Sequence, residues 1–175
     1  MICNTSFTGD WGSIVGEENV LPVFDPEQLE ILMVRQAQLR EEGVDNPELV
    51  IMDDLIGAAN FASDVFTRLA CSGRHYKITC WIACQHLFKL SPCLRTNSDY
   101  LCILGVQNTK VIQALWEEFG GLGFNDVKAL KAYAIEATRN FGALTIDNTQ
   151  AGAKGSPCRT VRAPAKLPQF RITQR

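Results

Sequence analysis

Four consecutive apolar residues, Leu49-Val50-Ile51-Met52, run without a break into two adjacent carboxylates, Asp53 and Asp54. An apolar run with no polar alternation is the pattern of a parallel strand covered on both faces. In open α/β sheets such a strand delivers its last residues to the edge where ligands bind. That combination restricts the chain to α/β architectures and points at one place for chemistry.

The rest of the chain follows the same alternation. Met1-Ile2-Cys3-Asn4-Thr5 reads as an opening strand, followed by the turn-rich Thr8-Gly9-Asp10-Trp11-Gly12 and a loop to Phe24. Asp25 offers a side-chain cap, Pro26 suits the first helical position and Gln28 the capping-box site, so a helix is expected from there to Gly43. Ser63 can cap a second helix carrying Val65, Phe66 and Leu69, closed by Gly73. Ile78-Thr79-Cys80-Trp81-Ile82-Ala83-Cys84 is a second buried-strand candidate and ends at Gln85. Residues 86–99 read as a loop with at most one helical turn before Pro92. A third strand candidate covers residues 100–106, two amphipathic helices follow, the second capped by Asn125, and residues 141–146 form a last strand. Strands alternating with helices imply a mostly parallel sheet with right-handed crossovers.

A length of 175 residues with 46% apolar and 21% charged residues is enough for one compact domain with a real core. No apolar run approaches the roughly 18 residues that cross a bilayer, and the first residues lack a secretory pattern, so the chain reads as intracellular with no membrane partner. Seven cysteines, several inside apolar runs, argue for reduced thiols rather than a disulfide framework. Cys71, His75, Cys80, Cys84, His86 and Cys93 resemble a zinc inventory, but structural zinc favours ligands two to four residues apart on turns. Those thiols are therefore read as small buried hydrophobes, and His75 and His86 as structural.

Net charge is −2, but it is unevenly spread. Residues 1–50 carry ten acids against two bases, whereas Lys154, Arg159, Arg162, Lys166, Arg171 and Arg175 face no acid in the last 25 residues. The segment 151–175 is thus either a solvated basic tail or a contact for nucleic acid or another polyanion, with Lys154, Arg159 and Arg162 as candidate DNA contacts.

Two carboxylates at a strand tip suit phosphate chemistry. The first can hold a hydrated Mg²⁺ and the second can orient or deprotonate a water. An adjacent strand ending at Gln85 would set an amide beside them.

Leu49-Val50-Ile51-Met52-Asp53-Asp54, a helix, Ser72-Gly73-Arg74-His75-Tyr76-Lys77-Ile78-Thr79 leading to Gln85, and Leu94-Arg95-Thr96-Asn97 together resemble the genome-packaging ATPases of large double-stranded DNA viruses. The likeness is to the poxvirus type within the FtsK–HerA group of P-loop motors, and it spans roughly residues 1–150. It implies a three-layer P-loop NTPase fold of the RecA/ASCE type. It also implies ATP and Mg²⁺ as cofactors, with Asp53 as the metal and nucleotide carboxylate, Asp54 as catalytic base and Gln85 as sensor. Arg95 is the first choice for an arginine finger, and Arg74 competes with it. Double-stranded DNA, a homo-oligomeric ring and a capsid are the implied partners, in a virion or in host cytoplasm or nucleus.

One departure from that pattern is large. No Gly-x-x-x-x-Gly-Lys-[Ser/Thr] occurs in the 175 residues, and Gly152-Ala153-Lys154-Gly155-Ser156 has the wrong order. The backbone cradle and lysine that hold ATP phosphates are therefore missing from this chain. By the resemblance, that loop and its strand precede the segment equivalent to residues 1–5 and the strand lies between those ending at Gln85 and starting at Tyr100. The expected organisation is a partial ATPase domain over 1–150, incomplete in its first strand and phosphate loop, followed by the basic segment. An alternative is a non-enzymatic adaptor or nucleic-acid-binding domain derived from such an ATPase, and a zinc-dependent regulator is a third.

Overall fold

The computed structural model describes residues 2–4, 11–55, 59–106, 108–150 and 157–166. It divides into two compact units, the first running to Leu94 and the second beginning at Arg95.

The first unit holds strand β1 (Ile2–Asn4), a short helix α1 (Trp11–Val15), strand β2 (Val20–Leu21), helix α2 (Pro26–Glu41), strand β3 (Glu48–Asp53), helix α3 (Asp64–Ser72) and strand β4 (Ile78–Ala83). The four strands form one wholly parallel sheet in the order β2-β1-β3-β4. Asp25 caps α2 by accepting the Glu27 N–H at 2.9 Å, and Gly43 ends it in the left-handed region at φ 72°, where a side chain would be strained. Alternate residues of the paired strands decide the core face. Val50 and Met52 of β3, with Ile78 of β4, turn toward Leu29 and Met33 of α2 and Val65, Phe66 and Leu69 of α3. Phe66 is fully buried between Phe24, stacked at 5.4 Å, and Phe61 at 4.8 Å. The other face carries Ile51 and, directly opposite it on β4, Trp81, which is 61% exposed.

Helix α4 (Pro92–Asn97) contains the division between the units, and the second unit continues with β5 (Tyr100–Ile103), α5 (Thr109–Glu118), α6 (Val127–Ala137), β6 (Gly142–Asp147) and β7 (Cys158–Arg162). These strands form a separate antiparallel sheet, β5-β6-β7. Leu144 and Ile146 of β6 are fully buried, as are Ile112 and Leu115 of α5 and Leu130 of α6.

The α/β class expected from the sequence is present, but the mostly parallel sheet is corrected to one parallel and one antiparallel sheet. The number of crossover helices accounts for it. A single helix between strands, as α2 between β2 and β3 or α3 between β3 and β4, returns the chain in its original direction. Two helices, α5 and α6, reverse it, so β6 runs against β5. Within 151–175, read as a tail, residues 158–162 pair with β6 as an edge strand. The expected loop to Phe24 contains α1 and β2; the helical turn expected before Pro92 is present as a 3-10 turn over Leu87–Lys89, and α4 follows it where more loop was expected. The cap of α6 is Asp126, one residue past Asn125, accepting the Ala129 N–H at 2.7 Å.

Candidate active site

β3 and β4 are paired along their full lengths, with Asp53 opposite Ala83, so both strands end at one edge of the parallel sheet. Beyond Asp53 the chain turns sharply. Asp54 adopts the left-handed conformation at φ 52°, which aspartate tolerates better than most residues, and its N–H donates to the Ala83 carbonyl at 3.3 Å. This last backbone bond between the two strand ends fixes where both carboxylates stand. Two residues beyond Ala83, the Gln85 side-chain Nε2 donates to Asp54 Oδ1 at 3.1 Å. Two strand tips thus bring together the acid pair and the amide, as the sequence reading expected.

A residue the sequence reading left in a loop joins them. Trp11, at the start of α1, donates its indole N–H to Asp53 Oδ2 at 3.4 Å. An indole N–H has no acceptor capacity and needs a partner when partly buried, but nothing in the linear pattern says which acceptor it finds. In backbone register Asp53 also stands beside Asn4 of β1.

Asp53 and Asp54 are half-buried and Gln85 is exposed. Two carboxylates in partial contact with solvent provide hard oxygen donors of the kind Mg²⁺ takes while keeping several waters. No group of three or more metal-ligating side chains occurs among the described residues. The arrangement therefore fits a hydrated cation shared with substrate oxygens rather than a closed protein cage. Beside Gln85, burial raises the Cys84 thiol above its ordinary value, and its contact with the His86 backbone offsets this only in part. Cys84 is accordingly a protonated neighbour of the site and no nucleophile at neutral pH.

The two arginines differ. Arg95 lies inside the second unit with its side chain 6% exposed, and both its Nε and Nη2 bond the Glu118 carboxylate, the former at 2.8 Å. A guanidinium held this way braces α4 against α5, whereas the sequence reading made Arg95 its first choice for an arginine finger. Arg74 is exposed. Of the candidate DNA contacts, Lys154 lies outside the described residues. Arg159 on β7 pairs with the buried Asp147 at 3.1 Å, and Arg162 is exposed at the end of the same strand.

The zinc-like inventory is dispersed. Cys71 and Cys93 approach to 3.8 Å, while Cys80 and Cys84 pack against the core of the first unit. Among the described residues no helix is long and apolar enough to cross a membrane.

No protein-family model matches the chain. It is 27% identical over 128 residues to the uncharacterized protein 075L of Invertebrate iridescent virus 6, covering 72% of this chain and 49% of that one. It is 26% identical over 129 residues to the uncharacterized protein L437 of Acanthamoeba polyphaga mimivirus, covering 71% and 45%. The chain spans about half the length of the curated relatives it matches. In fold it is similar to the genome packaging NTPase B204 of Sulfolobus turreted icosahedral virus 2 in complex with sulfate, with a TM-score of 0.63 at 9% identity over 97% of this chain and 81% of that one. The complex of that NTPase with AMPPCP gives 0.60 at 10% identity over 91% and 79%. The DNA-packaging ATPase B204 from Sulfolobus Turreted Icosahedral Virus gives 0.61 at 10% identity over 94% and 82%. The chain therefore has an α/β fold of the packaging-NTPase kind.

Proposed function

We propose that this chain is the hydrolytic portion of a Mg²⁺-dependent ATPase that moves double-stranded viral DNA into a capsid. The observation that carries the reading is the hydrogen bond from Gln85 to Asp54 beside Asp53, on a fold shared with genome-packaging NTPases that bind ATP analogues. Asp53, steadied by Trp11, would hold the hydrated cation. That cation, when bound, draws charge from the phosphate oxygens. Asp54 would take the proton of the attacking water. Gln85, donating to Asp54 Oδ1, would hold that carboxylate in place and report whether a γ-phosphate is present.

The phosphate-binding loop would come from polypeptide other than these 175 residues, as part of a three-layer P-loop domain of the FtsK–HerA group. Among the described residues β4 is an edge of its sheet, and it is the natural place for the strand that carries such a loop. The exposure of Arg74 supports it, over Arg95, as the arginine that reaches a neighbour in a homo-oligomeric ring. A virion or an intracellular site of virus assembly is the corresponding location. The test is Mg²⁺-dependent ATP hydrolysis by this chain joined to a segment bearing the phosphate loop. Hydrolysis that Asp54→Asn abolishes while ATP binding persists is expected, and hydrolysis unaffected by Asp54→Asn would overturn the reading.

A second reading has its own observation. Arg162 is exposed on an edge strand that leads into an acid-free segment, which suits a non-enzymatic DNA-binding or adaptor domain. It requires DNA affinity that falls steeply with salt and is indifferent to nucleotide.

A further inference from the structure

Two of the cysteines occupy positions that the functional reading leaves unused. Cys71 lies in the last turn of α3 and Cys93 in the first turn of α4, with their sulfurs 3.8 Å apart. Cys71 is exposed and Cys93 half-buried. A disulfide needs the sulfurs at about 2.05 Å, so closing the bridge requires the two side chains to bring their sulfurs together from 3.8 Å. Among the described side chains of the first unit, the other two thiols, Cys80 and Cys84, are worse placed because they pack against its core. We propose that Cys71 and Cys93 are a dithiol modification site, oxidised by small-molecule disulfides of the glutathione class to an intrachain bridge.

The chemistry is two successive exchanges. The Cys71 thiolate attacks one sulfur of oxidised glutathione, forming a mixed disulfide and expelling a glutathione thiolate. The Cys93 thiolate then attacks the Cys71 sulfur and expels the second glutathione thiolate. The chain loses two electrons and two protons, and two reduced glutathione molecules carry them away. Cys71 goes first because it is the more accessible sulfur. The bridge closes a loop that contains β4 and Gln85, so oxidation ties both flanks of the strand that delivers the amide to Asp54. That regulatory consequence rests on the role proposed for Gln85, whereas the bridge stands independently of it.

Peptide mapping decides the matter, because trypsin separates the relevant thiols. Cleavage after Arg68, Arg74, Lys77, Lys89 and Arg95 places Cys71 on residues 69–74 and Cys93 on residues 90–95, while Cys80 and Cys84 share residues 78–89. The full chain is treated with oxidised glutathione, its remaining thiols are alkylated, and the denatured but unreduced protein is digested. The expected product is the 69–74 peptide joined to the 90–95 peptide, lost on dithiothreitol treatment and absent from Cys71→Ser. In Cys93→Ser, glutathione should remain trapped on Cys71. A glutathione adduct that persists on Cys71 with Cys93 intact, a cross-link to 78–89 instead, or no oxidation at all would each overturn the proposal. None of these outcomes depends on ATP hydrolysis, so failure here is distinct from failure of the motor reading.

Discussion

The Gln85 amide donates to Asp54 Oδ1 at 3.1 Å from a neighbouring strand, 31 positions away in sequence. Gln85 is exposed and Asp54 sits in a left-handed turn, so neither contributes much to the core. Replacing Gln85 by Ala should leave the circular dichroism spectrum and melting temperature unchanged. In the protein completed with a phosphate loop, Asp54→Asn should lower kcat by about 10²–10⁴-fold, the range for loss of a positioned general base. Asparagine also accepts the left-handed backbone, so a folding defect in Asp54→Asn would contradict the geometry described.

Arg95 yields the opposite expectation. Its guanidinium and the Glu118 carboxylate are largely shielded from water, and removing one partner strands the other. Arg95→Ala should cost about 3–5 kcal/mol of folding stability, whereas exchanging both residues for apolar ones of similar volume should restore much of it. Urea denaturation of the single and double variants measures both. A stable Arg95→Ala protein would return Arg95 to candidacy as a finger.

Phe141 is strained and unsheltered. It lies at φ 59° with 90% of its surface exposed, following Asn140 at φ 52°. The cause is next to it, because a Cβ on Gly142 would come 2.1 Å from the Ala137 carbonyl oxygen. The close approach of β6 to the end of α6 forces the turn into the two preceding residues. Phe141→Gly should stabilise the second unit by about 1 kcal/mol, read as a higher urea midpoint.

The thiols should separate by pH. Burial holds Cys84 protonated to higher pH than an ordinary thiol, so its ionisation is opposed by folding. Stability tied to the neutral form is complete below pH 9.0, the unperturbed value, and falls as pH climbs through the raised native value. Alkylation at pH 9 should therefore modify the exposed Cys71 well before Cys84, and mild denaturant should abolish the difference.

Much of this was legible in the chain itself because local rules agreed with tertiary ones. The apolar run into Asp53, the cap at Asp25 and the stop at Gly43 each act within a few residues, and each is found where expected. Gln85 was legible because adjacent parallel strands end at a common edge. Trp11 was not, since an indole donor announces no acceptor and Asp53 lies 42 residues away. The direction of β6 was hidden for a related reason. The helical pattern of α5 and α6 was visible, but the reversal depends on their number within one crossover. Arg95 escaped because a charged residue gives no sequence signal of being buried, and its partner Glu118 lies 23 positions away.

Trp81 stands on the outer face of β4 with most of its indole in water, four residues before Gln85. It is thereby a built-in fluorophore for that side of the sheet. Its emission should be red-shifted in the isolated chain and move to the blue when another protein segment covers β4, so assembly of a complete motor could be followed optically without a label.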